Sequence, residues 1–219
     1  MKIGIIGSRN IGSALTRRFT ALGHDVSVAN SRGPESLREL AAETGATPVD
    51  VTEAAKGAEL VVVTIPEGKI TQLPSGLFDE AAEGVVVVDT GNYYPQRDGR
   101  IAGIEDEGLT ESGWVAQQLG RPVVKAFNNI MALHLLEKGV PAGTPGRIAL
   151  PVAGDDPQAK ETVFRLIDDL GFDTVDTGSL TDSWRQQPGS PVYVADADAD
   201  GVRKLLAEAS PDRQDAFKG

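Results

Sequence analysis

Short runs of β-branched residues alternate along the chain with stretches whose apolar positions recur at helical spacing. Strands are predicted at 2–6, 25–29, 59–64, 84–89, 122–126, 147–153 and 172–176, with a weaker one near 47–50. Runs such as Leu60-Val61-Val62-Val63 and Val85-Val86-Val87-Val88 are apolar at every position instead of every second one, the pattern of strands covered on both faces. Helices are predicted at 10–22, 34–43, 53–57, 75–82, 110–119, 129–138, 156–169 and 201–209. Several have chemical ends: Pro34 in a first turn, Thr52 as a cap, Gly120 and Gly139 just past a last turn. This alternation predicts an α/β fold with a doubly wound parallel sheet and right-handed crossovers. A main domain is expected at 1–145, with a small C-terminal βαβ extension at 146–219 packed on it, either continuing its sheet or lying against it. The stretch 90–109, rich in Gly, Asp and Glu, is the longest expected loop.

The first strand–helix–strand unit makes the sheet Rossmann-like. Strand 2–6 runs into Gly7-Ser8-Arg9-Asn10-Ile11-Gly12, then a helix, then strand 25–29. That is the setting of a Gly-x-Gly-x-x-Gly dinucleotide fingerprint, in which the free amides and dipole of a helix N-terminus hold a pyrophosphate. Gly7 suits the tight turn and Gly12 the close packing of helix on strand. The middle position, where glycine lets the backbone approach the phosphates, holds Arg9. Arg9 either swings its guanidinium onto a phosphate or crowds the site. At the end of the second strand an NAD site places a carboxylate on the ribose 2′-hydroxyl. This chain has Ala29-Asn30-Ser31-Arg32-Gly33 there, a hydroxyl and a guanidinium that suit a 2′-phosphate, so NADP(H) is the expected cofactor.

Charge sharpens that expectation. The 219 residues carry a net charge of −11, which argues against a nucleic-acid partner and an anionic membrane surface. Residues 1–40 nevertheless hold six basic and three acidic side chains, a locally positive segment that suits a phosphate-bearing ligand. There is no cysteine, hence no disulfide or thiolate chemistry, and two histidines cannot make a three-histidine metal site. The apolar stretches at 60–66 and 84–88 are too short to span a bilayer, and the N-terminus lacks the features of a signal peptide. A soluble cytoplasmic protein is expected.

In order and spacing, Gly7 to Gly12, Asn30-Ser31-Arg32, Val63-Thr64-Ile65-Pro66, Asp89-Thr90-Gly91-Asn92 and Val124-Lys125-Ala126-Phe127-Asn128-Asn129 resemble the NADPH-dependent coenzyme F-420 reductases (F-420:NADP oxidoreductases) over most of residues 1–177. The resemblance implies a pyrophosphate on Ser8 to Ile11, a 2′-phosphate on Ser31 and Arg32, and a nicotinamide ribose beside Thr64, Ile65 and Pro66. It places the loop beginning at Asn92, together with Asn128 to Met131, around a small-molecule redox acceptor, a deazaflavin (coenzyme F-420), in a homodimer. Two residues depart from the family pattern: Arg9 stands for the usual glycine, and Asn128 stands where the deazaflavin enzymes carry histidine. The superfamily also holds pyrroline-carboxylate reductases and ferric-reductase domains.

Other constellations carry less. Four residues after Tyr93, Tyr94 and Tyr193 stand Arg97, Asp98 and Ala197, so the Tyr-x-x-x-Lys pair of short-chain dehydrogenases is absent. Gly68-Lys69 is no phosphate loop, and there is no Gly-x-Ser-x-Gly nucleophile turn. His134 and Glu137 share a helix face and form either an acid pair or a surface pair; His24 is expected in an exposed turn. Lys125 serves either the acceptor site or a structural ion pair. Asp196, Asp198, Asp200 and Gly201 imitate the start of a calcium loop, but its twelfth position is Ala207, so Asp200 is read as a helix cap. Trp184, Tyr93 and Tyr94 are expected in loops, as packed lids or ring-stacking surfaces. The dinucleotide turn and the resemblance together imply hydride transfer between NADPH and a second redox carrier, a deazaflavin. The alternatives are an NADPH-dependent reductase of an imine, quinone, flavin or ferric chelate, and a non-catalytic NADP sensor.

Overall fold

The structure is a computed structural model and describes residues 1–218. Its strands are β1 (Lys2–Ile6), β2 (Asp25–Ala29), β3 (Thr47–Pro48), β4 (Leu60–Val63), β5 (Val86–Asp89), β6 (Val124–Lys125), β7 (Ala149–Ala153) and β8 (Asp173–Gly178). All eight form one sheet in the order β3-β2-β1-β4-β5-β6-β7-β8. The strand order reverses between β1 and β4, which puts the topological switch point at the carboxyl ends of those two strands.

Apolar residues at every strand position divide between two layers. Ile3, Ile5, Leu60, Val62 and Val88 face a core shared with Leu15, Phe19, Leu135, Val163 and Ile167. Ile6, Val61, Val63 and Val87 face the opposite core, with Tyr93, Trp114 and Val115. The first layer is supplied by α1 (Asn10–Ala21), α6 (Ala132–Glu137) and α7 (Pro157–Asp169), and the second by α5 (Glu111–Leu119). Leu150, Val152 and Phe172 belong to the first core, so the segment from residue 146 to 218 continues the sheet and shares its apolar interior. The remaining helices are α2 (Arg38–Thr44), α3 (Pro95–Asp98), α4 (Ala102–Glu105) and α8 (Ala199–Ala207).

Several sequence expectations are corrected. The sheet is parallel except where β6 meets β7, which pair antiparallel through Lys125 and Ala153. The short α6 docks on α1 and does not serve as a crossover, and an antiparallel neighbour needs none. The helix expected at 53–57 is a 3-10 turn at Val51–Glu53, preceded by Asp50 in the cap position in place of Thr52. The helix expected at 75–82 is a series of turns, opened by Gly76 at φ +74°. Residues 90–109 hold α3 and α4, anchored by buried Tyr93, Ile101 and Ile104. Asp198, and not Asp200, caps α8: its Oδ1 accepts the Gly201 amide at 2.9 Å.

Candidate functional site

The ends of β1, β2 and β4 converge because two glycines permit it. Gly7 has φ +113°, donates its amide to the Ala29 carbonyl at 2.8 Å, and would drive a Cβ into the carbonyl of Thr64. A Cβ on Gly12 would overlap the Gly7 carbonyl, so α1 lies directly on the turn. Arg9 is the extended cap residue of α1; no side chain caps the helix and its first turn holds no acidic residue. The amides and positive dipole end of α1 are thus uncompensated.

Asn30 ties this turn to β2. Its Nδ2 donates to Ser8 Oγ at 2.9 Å and Ser36 Oγ at 3.0 Å, and its Oδ1 accepts the Arg32 amide at 2.8 Å. Arg9, Asn10, Ser31 and Arg32 are exposed around this turn, and Ile11 packs on the core. Arg17 and Arg38 bind Glu43 and Glu35, whereas among the described residues Arg9 and Arg32 have no carboxylate partner. Thr64, Ile65 and Pro66 line the neighbouring edge, half-buried, where the Thr64 amide continues the ladder to the Ile6 carbonyl at 2.9 Å.

Farther along the edge, polar side chains are consumed internally. Asn92 Nδ2 donates to the Asn128 carbonyl at 3.1 Å, and Asn128 Nδ2 donates to Asn92 Oδ1 at 3.0 Å and the Gln186 carbonyl at 2.7 Å. Gln186 Nε2 returns a bond to Asn128 Oδ1 at 3.1 Å. Asn128 is buried by this network and Met131 is 52% exposed, so the structure does not bring those two expected acceptor residues onto one surface. Phe127, between them in the chain and β6, is buried at φ +62°, a left-handed conformation that side chains disfavour.

A buried charged cluster lies beneath the β5 end. Lys125 donates to Asp89 Oδ2 at 3.2 Å and to the Gly91 carbonyl at 2.5 Å, and Asp89 also accepts Ser112 Oγ and the Gly91 amide. Lys125 therefore forms a structural ion pair. Burial works against its charge, but Asp89, Glu111 and Glu67 hold its pKa above the usual lysine value. Glu111 takes the Tyr93 amide at 3.2 Å and Arg213 at 2.7 Å; burial still raises its carboxyl above the usual range. Glu67 is wholly buried beside them. The sequence carried no signal for Glu67 or Glu111, since a carboxylate in a polar turn or on a helix reads as surface.

The remaining candidates are structural. His134 Nδ1 lies 2.6 Å from Asp196, which Lys138 also binds, so His134 is paired with Asp196 and not with Glu137. His24 is not a free surface residue: it stacks edge-on against Phe19, and burial followed by the nearby N-terminal amine lowers its pKa. Tyr93 is buried, with burial and then Glu105 pushing its phenol up to about 12. Tyr94 meets the Tyr193 hydroxyl, and Trp184 lies in a 3-10 helix, Leu180–Gln186, stacked under Arg185. No cluster of metal-binding side chains occurs among the described residues.

This fold, with an uncapped helix N-terminus on a glycine turn at the switch point, defines the Rossmann class of dinucleotide-binding proteins. Residues 2–93 match the family described as "NADP oxidoreductase coenzyme F420-dependent". A Sinorhizobium meliloti protein of undescribed function, SMa0349, is 32% identical, with a TM-score of 0.73 over 89% of this chain and 93% of its own. An Arthrobacter sp. FB24 structure provisionally assigned as an F420-dependent NADP reductase is 25% identical, with a TM-score of 0.67 over 83% of this chain and 86% of its own. Metalloreductase STEAP3 of Rattus norvegicus is 30% identical over 185 residues, 82% of this chain and 34% of that protein. The chain spans less than half the length of the curated relatives it matches. The match to the F420-dependent family's model lies in the N-terminal part of the chain, less than half of its length.

Proposed function

We propose that the protein moves hydride between NADPH and a deazaflavin acceptor, coenzyme F-420. The observation that carries the cofactor half is the pairing pattern around α1: among the described residues the open helix end, Arg9 and Arg32 stand free of carboxylates, while Arg17 and Arg38 are paired with Glu43 and Glu35. This donor set fits a dinucleotide with an additional phosphate. In the proposed pose Gly7, Ser8, Asn10, Ile11 and Gly12 surround the pyrophosphate with Arg9 reaching over it, and Ser31 and Arg32 hold the 2′-phosphate. Asn30 keeps both phosphate niches in register through its bonds to Ser8 and the Arg32 amide.

The nicotinamide, when bound, supplies the hydride; the chain supplies orientation and a dry wall. Thr64, Ile65 and Pro66 form one side of that wall. Asn92, locked to Asn128, forms the other, which makes Asn128 a support for the acceptor surface. Support for the deazaflavin comes from the family description and from the Arthrobacter protein's assignment. A ferric chelate is the second reading, favoured by the similarity to a metalloreductase.

Fluorescence titration with NADPH and NADH tests the cofactor half, and absorbance at the deazaflavin and ferric-chelate bands tests the acceptor. Saturable NADPH binding with deazaflavin reduction is the expected result. Turnover with the ferric chelate alone would replace the first reading by the second; tight NADPH binding without turnover of any acceptor would leave a nucleotide sensor.

A further inference from the structure

The ion pairs around the end of β5 leave one carboxyl over. Asp89 pairs with Lys125, Glu111 with Arg213, and Asp98 with Arg97. Glu67 follows Pro66 directly, is completely buried, and neither of its carboxyl oxygens has a hydrogen-bond partner among the described residues. Its position is not remote from the cleft. A Cβ on Gly91 would overlap Glu67 Oε1 and meet Asp89 Oδ1 at 2.9 Å, so the carboxyl is wedged against the turn that closes β5. Glu67 thus stands between Thr64-Ile65-Pro66 and Gly91-Asn92, the two segments that form the nicotinamide end of the proposed site.

Asp89 faces Glu67 from β5, Lys125 from β6, Glu111 from α5, and Asp98 and Arg97 from α3. Each cation of the set is engaged by another carboxyl, Lys125 by Asp89, Arg213 by Glu111 and Arg97 by Asp98, and among the described residues none hydrogen-bonds Glu67. Burial first, and then the charge of Asp89, raises the Glu67 carboxyl well above the usual range, with Lys125 opposing. A buried carboxylate without a donor is the costly form, and the uncharged acid is the one that packs here.

We propose that Glu67 is a positioning residue of the dinucleotide cleft: as an uncharged acid it lets the Thr64–Pro66 and Gly91–Asn92 turns close on the nicotinamide end, and when ionised it draws in water and parts them. The proposal rests on the NADPH reading given above.

The test compares wild type with Glu67→Gln, which keeps the shape and removes the titration. Thermal unfolding without ligand and NADPH titration by fluorescence are followed from about pH 6 to about pH 10. A group whose folded pKa is raised stabilises fully below its unfolded pKa, and that stability is lost as pH rises through the folded value. The Tm of wild type is therefore expected to fall relative to the variant as pH rises. Over the same range wild type should lose about tenfold in NADPH affinity while the variant changes by less than about twofold. Parallel pH profiles in two proteins that both bind NADPH would overturn the role of Glu67 and leave the cofactor assignment standing. Absence of NADPH binding by wild type and variant at every pH would overturn the cleft reading and this role with it. Glu67→Met, uncharged and of similar length, carries the same comparison if Gln disturbs folding.

Discussion

Arg9 and Arg32 stand apart from the other arginines of the first forty residues by what they do not touch. Arg17 is held by Glu43, Arg38 by Glu35 and Arg18 by the Leu170 carbonyl, so those side chains are already engaged within the protein. In the proposed pose Arg32→Ala should weaken NADPH binding roughly tenfold and leave NADH binding unchanged, with a smaller loss at high salt, as fluorescence titration would show. Arg9→Gly separates the two readings of the sequence. A phosphate contact predicts weaker NADPH binding, and crowding predicts tighter. The expectation for Ser31 and Arg32 comes from the sequence, because a 2′-phosphate needs donors at a strand end that lacks a carboxylate. Asn30 as the tie between β1 and β2 was not legible there, because nothing in its chain position shows that Ser8 lies within hydrogen-bond reach.

The strand ends succeed or fail as units. Gly12→Ala would press a methyl against the Gly7 carbonyl and should cost about 1–3 kcal/mol in denaturant unfolding, since backbone cannot rotate away. Lys125→Met removes the only ammonium from a buried set of carboxyls. It should cost about 3–5 kcal/mol at neutral pH, measured by urea unfolding, because Asp89 is left charged and unpaired. The strands themselves were readable from their continuous apolar runs, and α1, α5 and α7 from their periodicity. Where glycine or proline interrupts the spacing, as at Gly76 and Gly57, the chain turns instead of coiling. The antiparallel entry of β7 was hidden for a different reason. Strand direction depends on where the preceding segment docks, and α6 docks on α1.

Across the whole molecule, the C-terminal segment completes structures begun far away in the chain. Ile148, Leu150, Val152, Val163, Leu166, Ile167 and Phe172 fill the same core as β1 and α1. A fragment ending at 145 should therefore lack a cooperative thermal transition, which differential scanning calorimetry would reveal. Arg213 reaches back to Glu111 and lies over the Tyr93 ring, so the tail closes the charged cluster beneath the cleft. The alternation of strand and helix, the glycine turn and the excess of positive charge near residues 1–40 are local properties, set by short-range sterics and side-chain chemistry. They were sufficient to identify a doubly wound sheet with a dinucleotide turn. The buried, unpartnered carboxyl of Glu67, the Asn92–Asn128–Gln186 lock and the pairing of Lys125 with Asp89 arise only after distant segments meet. Burial and the balance of neighbouring charges decide how a titratable or amide group behaves, and both are properties of the assembled fold.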